Sequence, residues 1–175
     1  MLFAVVLTVG AGLVLVFSSI FKLLALKKYL RALENYEFIP GAWKSVIGYG
    51  SPVVELLTGF ALIWLPHEFF VNLVALGMFF VFLAIHVHAV LKNDKSTCMC
   101  FGEIIKSRYG MPGIIQSVLL IISILPNLLI VYPVSHNQLF VSYGIDESAI
   151  ALVLACLWGL NLITARLVLD KILYR

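Results

Sequence analysis

Residues 2 to 26 read LFAVVLTVGAGLVLVFSSIFKLLAL, and Lys22 is the only charged side chain among them. A helix of about 20 apolar residues is long enough to cross the roughly 30 Å of hydrocarbon in a bilayer. A secretory signal peptide would instead carry basic residues ahead of its apolar core. We therefore interpret the stretch as a retained membrane span, with Lys22 reaching toward the interface at its end.

The rest of the chain has the same apolar character. Of its 175 residues, 62% are hydrophobic and 12% are charged, whereas soluble domains have about 45–50% apolar and about 25% charged residues. This excess of apolar side chains predicts a membrane protein in a lipid bilayer, folded as a single all-α domain over residues 1–175. The basic residues lie at segment ends, so nucleic-acid binding is not expected.

Five segments have the length and composition of a membrane span. They cover residues 2–26, 46–65, 69–91, 112–132 and 147–169. The sequence therefore predicts a polytopic bundle of five transmembrane helices.

The connection after the first span has a helical pattern of its own. Leu23, Leu26, Leu30 and Leu33 recur at intervals of three and four residues, and the basic residues take other positions. This pattern predicts that the first helix continues as an amphipathic segment on the membrane surface. A plain solvated helix end is the alternative.

The Lys and Arg residues predict the orientation in the membrane. All twelve lie at one set of span ends, and the connections at residues 66–68 and 133–146 contain none. Short cytoplasmic loops of membrane proteins carry the excess of Lys and Arg. The N-terminus is therefore expected outside the cell membrane, and the C-terminus and the connection after the third span in the cytoplasm.

That third connection contains Thr97-Cys98-Met99-Cys100-Phe101-Gly102, with two of the three cysteines. Two cysteines one residue apart reach the Cα separation of a disulfide, about 4.4–6.8 Å, only when the backbone turns. Strain in so small a ring raises its reduction potential and favours exchange over permanent structure. Nearby basic residues favour the thiolate. We predict that Cys98 and Cys100 are the catalytic pair, with metal-binding and inert roles as alternatives.

Three more side chains are candidates for supporting roles. Glu55 is an acidic residue well inside a span, so it should face the bundle interior, where it either fixes helix packing or accepts a proton.

His86 and His88, near the cysteine end of the third span, could tune the thiolates or carry protons. They project about 200° apart on a helix, so at most one can face the cysteines. This geometry argues against a metal site formed by both histidines together with both cysteines, although zinc or Cu(I) would accept such ligands.

Other residues are expected to have structural roles. Cys156, with Ala and Leu as neighbours in the fifth span, should be a buried and inert packing residue. Gly10 and Gly12 should permit close packing of helices. Three aromatic residues near span ends are interpreted as interfacial anchors: Trp43, Trp64 and Tyr132.

Three stretches resemble the MauE branch of the MauE/DoxX family. Cys98-Met99-Cys100-Phe101-Gly102 is similar to the family's Cys-Gly-Cys-Phe-Gly signature, with Met99 in place of Gly. The segments Phe21-Lys22 through Tyr36 to Pro40, and SPVVELLTG at residues 51–59, resemble the same family. The resemblance covers about residues 10 to 130. It implies a redox-associated protein with a DoxX-like four-helix core, thioredoxin-like partners, and Cys98 and Cys100 as the exchanging thiols.

The function predicted from these features is membrane thiol–disulfide oxidoreductase, with a thioredoxin-like protein as partner and a quinone as a candidate acceptor in the membrane. No other cofactor is indicated, and homo- or hetero-oligomers are compatible with the sequence. The alternatives are a non-enzymatic scaffold for assembly of an exported product, and zinc or copper handling. A family linked to disulfide formation in exported proteins would act outside, whereas the charge distribution predicts a cytoplasmic cysteine pair.

Overall fold

A computed structural model of the chain describes residues 2–34, 41–92, 97–98, 107–108, 110–130 and 145–173. These residues form six helices and one pair of short antiparallel strands. In chain order the elements are α1 (Leu2–Leu24), α2 (Leu26–Glu34), α3 (Gly41–Trp64), α4 (Phe69–Leu91), β1 (Thr97–Cys98), β2 (Ser107–Arg108), α5 (Met111–Ile130) and α6 (Ile145–Leu173).

Five of these helices, all except α2, are long and apolar enough to cross a membrane. The expected all-α bundle with five spans is confirmed, and the chain is a multi-pass membrane protein. Two helices extend beyond the expected spans, because α3 begins at Gly41 and α6 continues to Leu173. Trp43 and Trp64 are exposed near the ends of α3, whereas Tyr132 lies outside the described residues.

Helix α1 lies at the centre of the bundle. It contacts α3, α5 and α6, and α4 packs against α3 and α5. The core includes Ala11 and Leu15 of α1, Leu62 of α3, Phe79 of α4 and Ile124 of α5. A helix that is apolar on all sides is suited to such a central position. The other spans bury one side and leave apolar side chains facing outward, as lipid contact requires.

Glycines bring α1 close to two of its neighbours, as expected for Gly10 and Gly12. A Cβ atom on Gly12 would lie 2.9 Å from the carbonyl oxygen of Gly59 in α3. A Cβ atom on Gly10 would lie 2.7 Å from Cδ1 of Trp158 in α6. Dispersion is a main attraction between helices in lipid, and small residues increase it because they let the backbones approach.

The amphipathic segment after the first span is a separate helix, α2. The chain turns at Ala25, whose carbonyl oxygen accepts hydrogen bonds from the N–H groups of Lys28 and Tyr29. A Cβ atom on Gly48 of α3 would collide with the side chain of Leu30, so α2 packs directly on α3. The basic residues Lys27, Lys28 and Arg31 are exposed.

Far from α2, the connection between α3 and α4 is tied to α5 and α1 by amide side chains. The carbonyl oxygen of Pro66 accepts hydrogen bonds from Nδ2 of Asn72, at 2.7 Å, and from Nδ2 of Asn127, at 2.6 Å. Asn127 also donates to Oγ1 of Thr8, at 3.0 Å. A buried carbonyl group needs such partners where no water is present. These bonds hold four elements together at this end of the bundle.

The close approach of α1 and α3 predicts that Gly12→Ala destabilises the protein. The new Cβ atom would press on the Gly59 carbonyl, which as backbone cannot rotate away, at a cost of about 1–3 kcal/mol. Gly77→Ala is the matched control because nothing lies within 4 Å of its added Cβ. It should be neutral, or stabilising by up to about 1 kcal/mol through helix propensity. Denaturation of the purified variants in micelles measures both; equal effects would contradict the packing described here.

Candidate functional site

Cys98 is the last residue of β1, in the connection between α4 and α5. Thr97 pairs with Arg108, and Cys98 pairs with Ser107. Helix α6 contacts β2, so the strand pair lies beside α6. Cys100 lies outside the described residues, as do the rest of residues 99–106.

Gly110 connects the strand pair to α5. Its φ angle is 141°, a conformation that glycine adopts readily and L-amino acids with a Cβ atom rarely do. Its carbonyl oxygen accepts hydrogen bonds from the N–H groups of Gly113 and Ile114. Gly110 therefore begins the first turn of α5.

A buried ion pair joins α1 to α3. Nζ of Lys22 lies 2.5 Å and 2.7 Å from the two carboxylate oxygens of Glu55, and Oγ of Ser18 donates to the same carboxylate at 3.2 Å. Lys22 is 5% exposed and Glu55 is 1% exposed. The expectation that Lys22 reaches the interface is wrong: Glu55 compensates its charge inside the bundle. Glu55 faces the interior, as a lone acidic residue in a span should.

Aromatic rings complete the surroundings of Lys22. Its Nζ lies 5.7 Å from the ring centroid of Tyr29 and 5.4 Å from that of Phe82. The electron-rich faces of such rings attract cations within about 6 Å. The Tyr29 hydroxyl is hydrogen-bonded to Ser51 at 2.8 Å, which links α2 to α3 next to the ion pair.

A second polar group joins α4, α5 and α6. NH1 of Arg166 donates to Oε1 of Gln116 at 3.0 Å and lies 3.5 Å from Nε2 of His86. Arg166 is 2% exposed, and His86 and Gln116 are also buried. The start of α5 passes so close to the His86 ring that a Cβ atom on Gly113 would overlap it. This glycine brings the imidazole and the Gln116 amide to the same guanidinium.

The two groups, Lys22–Glu55 and His86–Gln116–Arg166, are neighbours. Phe82, which lies against Lys22, is four residues before His86 on α4. His86 is five residues from the end of α4, and Gln116 is five residues from the start of α5. At about 1.5 Å per residue, both lie about 8 Å inside the helix ends that lead to the strand pair.

Lys22, Gln116 and Arg166 are not among the candidate site residues that the sequence predicts. Arg166 did carry a signal, because it lies inside the expected fifth span, where a charge is costly unless it is paired. Gln116 gave no signal of this kind. His86 is buried, and His88 is half-buried. That at most one of them faces the cysteines stays a prediction.

Cys156 is exposed on α6 with a free thiol, so the expectation of a buried packing residue is wrong. The adjacent Ala155 occupies the buried position instead. Within the part of the chain that the structure describes, no three His, Cys, Asp or Glu side chains form a group that could hold a metal ion.

The chain is similar to a known family of proteins. The model of the family described as "Methylamine utilisation protein MauE" matches residues 1–131 of the chain. No curated protein and no solved structure matched it. The matched region contains the cysteine pair, the Lys22–Glu55 pair, His86 and Gln116, and it ends before α6 begins.

Because Lys22 and Glu55 compensate each other's charge, we expect removal of one partner to destabilise the protein more than removal of both. Lys22→Met leaves a buried carboxylate without its cation and should lower the free energy of unfolding by about 3–5 kcal/mol, whereas replacing both partners with Met should cost much less. Denaturation of the two single variants and the double variant in micelles measures the coupling between the residues. Additive effects would mean that the two charges do not depend on each other.

Proposed function

The chain belongs to the MauE family of membrane proteins, and we propose that it is a membrane thiol–disulfide oxidoreductase that works through Cys98 and Cys100. The observation that carries this proposal is the position of Cys98 at the end of β1, outside the spanning helices and beside helix ends that bury a charged cluster. A pair at this position is suited to exchange with a visiting protein. The family description links the protein to methylamine utilisation.

The proposed reaction moves two electrons between two pairs of sulfur atoms. A thiolate of a thioredoxin-like partner attacks the Cys98–Cys100 disulfide and forms a mixed disulfide, and the other cysteine leaves as thiolate. The partner's second thiolate then attacks the mixed disulfide. This step releases the partner as a disulfide, leaves Cys98 and Cys100 as a dithiol, and transfers two protons along with the two electrons. A quinone in the membrane is the candidate acceptor: it takes up the two electrons and two protons, becomes a quinol, and the Cys98–Cys100 disulfide closes again.

The buried polar residues support this chemistry. The guanidinium of Arg166 places positive charge in the low-dielectric region behind the helix ends, and positive charge favours thiolate over thiol. Glu55, His86 and His88 are the proposed supporting residues, and the first two are buried inside the bundle. A strained Cys-x-Cys ring has a raised reduction potential, which suits reversible exchange.

Thiol trapping tests the proposal directly. Protein purified without reductant should gain two alkylated thiols after mild reduction, because Cys98 and Cys100 become free. A Cys156→Ser variant should show the same gain, and a Cys98→Ser, Cys100→Ser double variant should show none. Wild-type protein that never gains alkylation would overturn the redox function. Full biological activity of the double variant would instead indicate the non-enzymatic scaffold, and metal bound in stoichiometric amount would indicate metal handling.

We propose that the cysteine pair faces the cytoplasm, as the distribution of Lys and Arg indicates. In intact cells carrying Cys156→Ser, a membrane-impermeant maleimide should label Cys98 and Cys100 only after the membrane is permeabilised. A control with His67→Cys in place of the native cysteines carries its thiol in the connection between α3 and α4. This thiol should be labelled without permeabilisation. The reverse pattern would contradict the orientation and leave the thiol chemistry intact.

A further inference from the structure

The outer face of α6 carries an amide side chain in an unusual position. Of the four Asn and Gln side chains in the described helices, Asn72, Gln116 and Asn127 are buried and hydrogen-bonded inside the bundle. Asn161 is exposed and forms no hydrogen bond with the described part of the chain. It lies at the midpoint of the span Ala149–Leu173.

Placing the Asn161 amide in the middle of the membrane costs free energy if only lipid surrounds it. An amide moved from water to an apolar medium without a hydrogen bond loses a large part of its solvation, and the middle of a bilayer contains no water to replace the bond. Thr164, one turn further along the same face, avoids the cost because its hydroxyl donates to the carbonyl oxygen of Leu160 at 2.7 Å. Asn161 has no such contact with the residues that the structure describes.

Asn161 belongs to a regular series of exposed residues along α6. The series advances by four and three residues alternately, which is the heptad spacing of helices that pack along a seam. Its four aliphatic members are between 42% and 56% exposed, and the next position, Lys171, ends it with a charge. The seam consists of Ile150, Leu154, Leu157, Asn161, Thr164 and Val168.

We propose that this seam is a dimer interface, and that its occupant is α6 of a second copy of this chain. An amide group contains both a donor and an acceptor, so two Asn161 side chains related by a two-fold axis satisfy each other. Copies inserted with the same topology place their α6 helices parallel and their Asn161 residues at the same depth. A single Asn at such a position is known to specify register and the number of helices in coiled coils.

Helix α6 packs against its own bundle through the face opposite the seam, so the seam is free to contact another helix. Ala155, Gly159 and Arg166 point into their own bundle, where a Cβ atom on Gly159 would lie 3.2 Å from the Gly10 carbonyl oxygen. Side chains on this face and on the seam lie on opposite sides of the helix, since residues advance by about 100° each. Dimerisation along the seam therefore requires no change in the packing of α6 on α1.

Cross-linking in lipid vesicles tests the interface. The full chain would carry Cys98→Ser, Cys100→Ser and Cys156→Ser, so that only one added thiol is present. Leu157→Cys lies on the seam and should form a covalent dimer on mild oxidation. Leu152→Cys is the matched control: both leucines are 52% exposed, but position 152 is turned about 140° away. It should form little dimer. Equal cross-linking, or none at position 157, would overturn the proposal.

The role of Asn161 needs a second measurement. Energy transfer between labelled copies, followed as the vesicles are diluted with lipid, gives the dissociation constant of the dimer. Asn161→Leu should raise it about three- to thirtyfold, the range expected for one interhelical hydrogen-bonded contact in a membrane. Asn161→Gln retains an amide and should recover part of the affinity. An unchanged constant in Asn161→Leu would refute the amide contact, and protein that stays monomeric at every dilution would refute the second copy as occupant.

Discussion

The interior of a bilayer contains no water, and this constraint organises the whole bundle. A polar side chain in a span must find its hydrogen-bond or charge partner on another helix. Lys22 does so with Glu55 at one end of α1, and Thr8 does so with Asn127 toward the other end. The central helix is thus joined to α3 and to α5 by polar contacts whose loss would leave buried groups unsatisfied. Between them, glycines let the backbones approach closely.

The buried charges are not simply sources of stability. Moving a lysine and a carboxylate out of water costs several kcal/mol each, and their attraction often does little more than offset that cost. The same holds for the guanidinium of Arg166. The Arg166 group lies near the helix ends that lead to Cys98, and the Lys22–Glu55 pair lies about one turn deeper, beside Phe82. This arrangement is more typical of a functional site than of a bundle held together by apolar packing alone.

Helix α6 has a distinct place in the molecule. The family match ends at residue 131, yet α6 supplies Arg166 to the buried cluster and contacts β2 next to the cysteine pair. Its inner face combines small residues with Leu162 and Arg166, and between Ile150 and Val168 its outer face is apolar except for Asn161 and Thr164. One helix therefore connects the proposed redox site with the proposed dimer seam, so the two can be tested in the same protein.

The amino-acid sequence by itself determined the membrane location, the helical class and the five spans, because long apolar segments have no other stable place or structure. It also singled out Glu55 and indicated that His86 and His88 project from different sides of their helix, since the depth and the spacing of residues on a helix are local properties. Only the tertiary structure decided that Lys22 turns inward to Glu55 and that Arg166 meets Gln116 and His86. It also decided that Cys156 faces outward and that Asn161 has no hydrogen-bond partner among the described residues. These outcomes depend on which helices are neighbours and how each is rotated, and such facts arise from packing between segments distant in the chain.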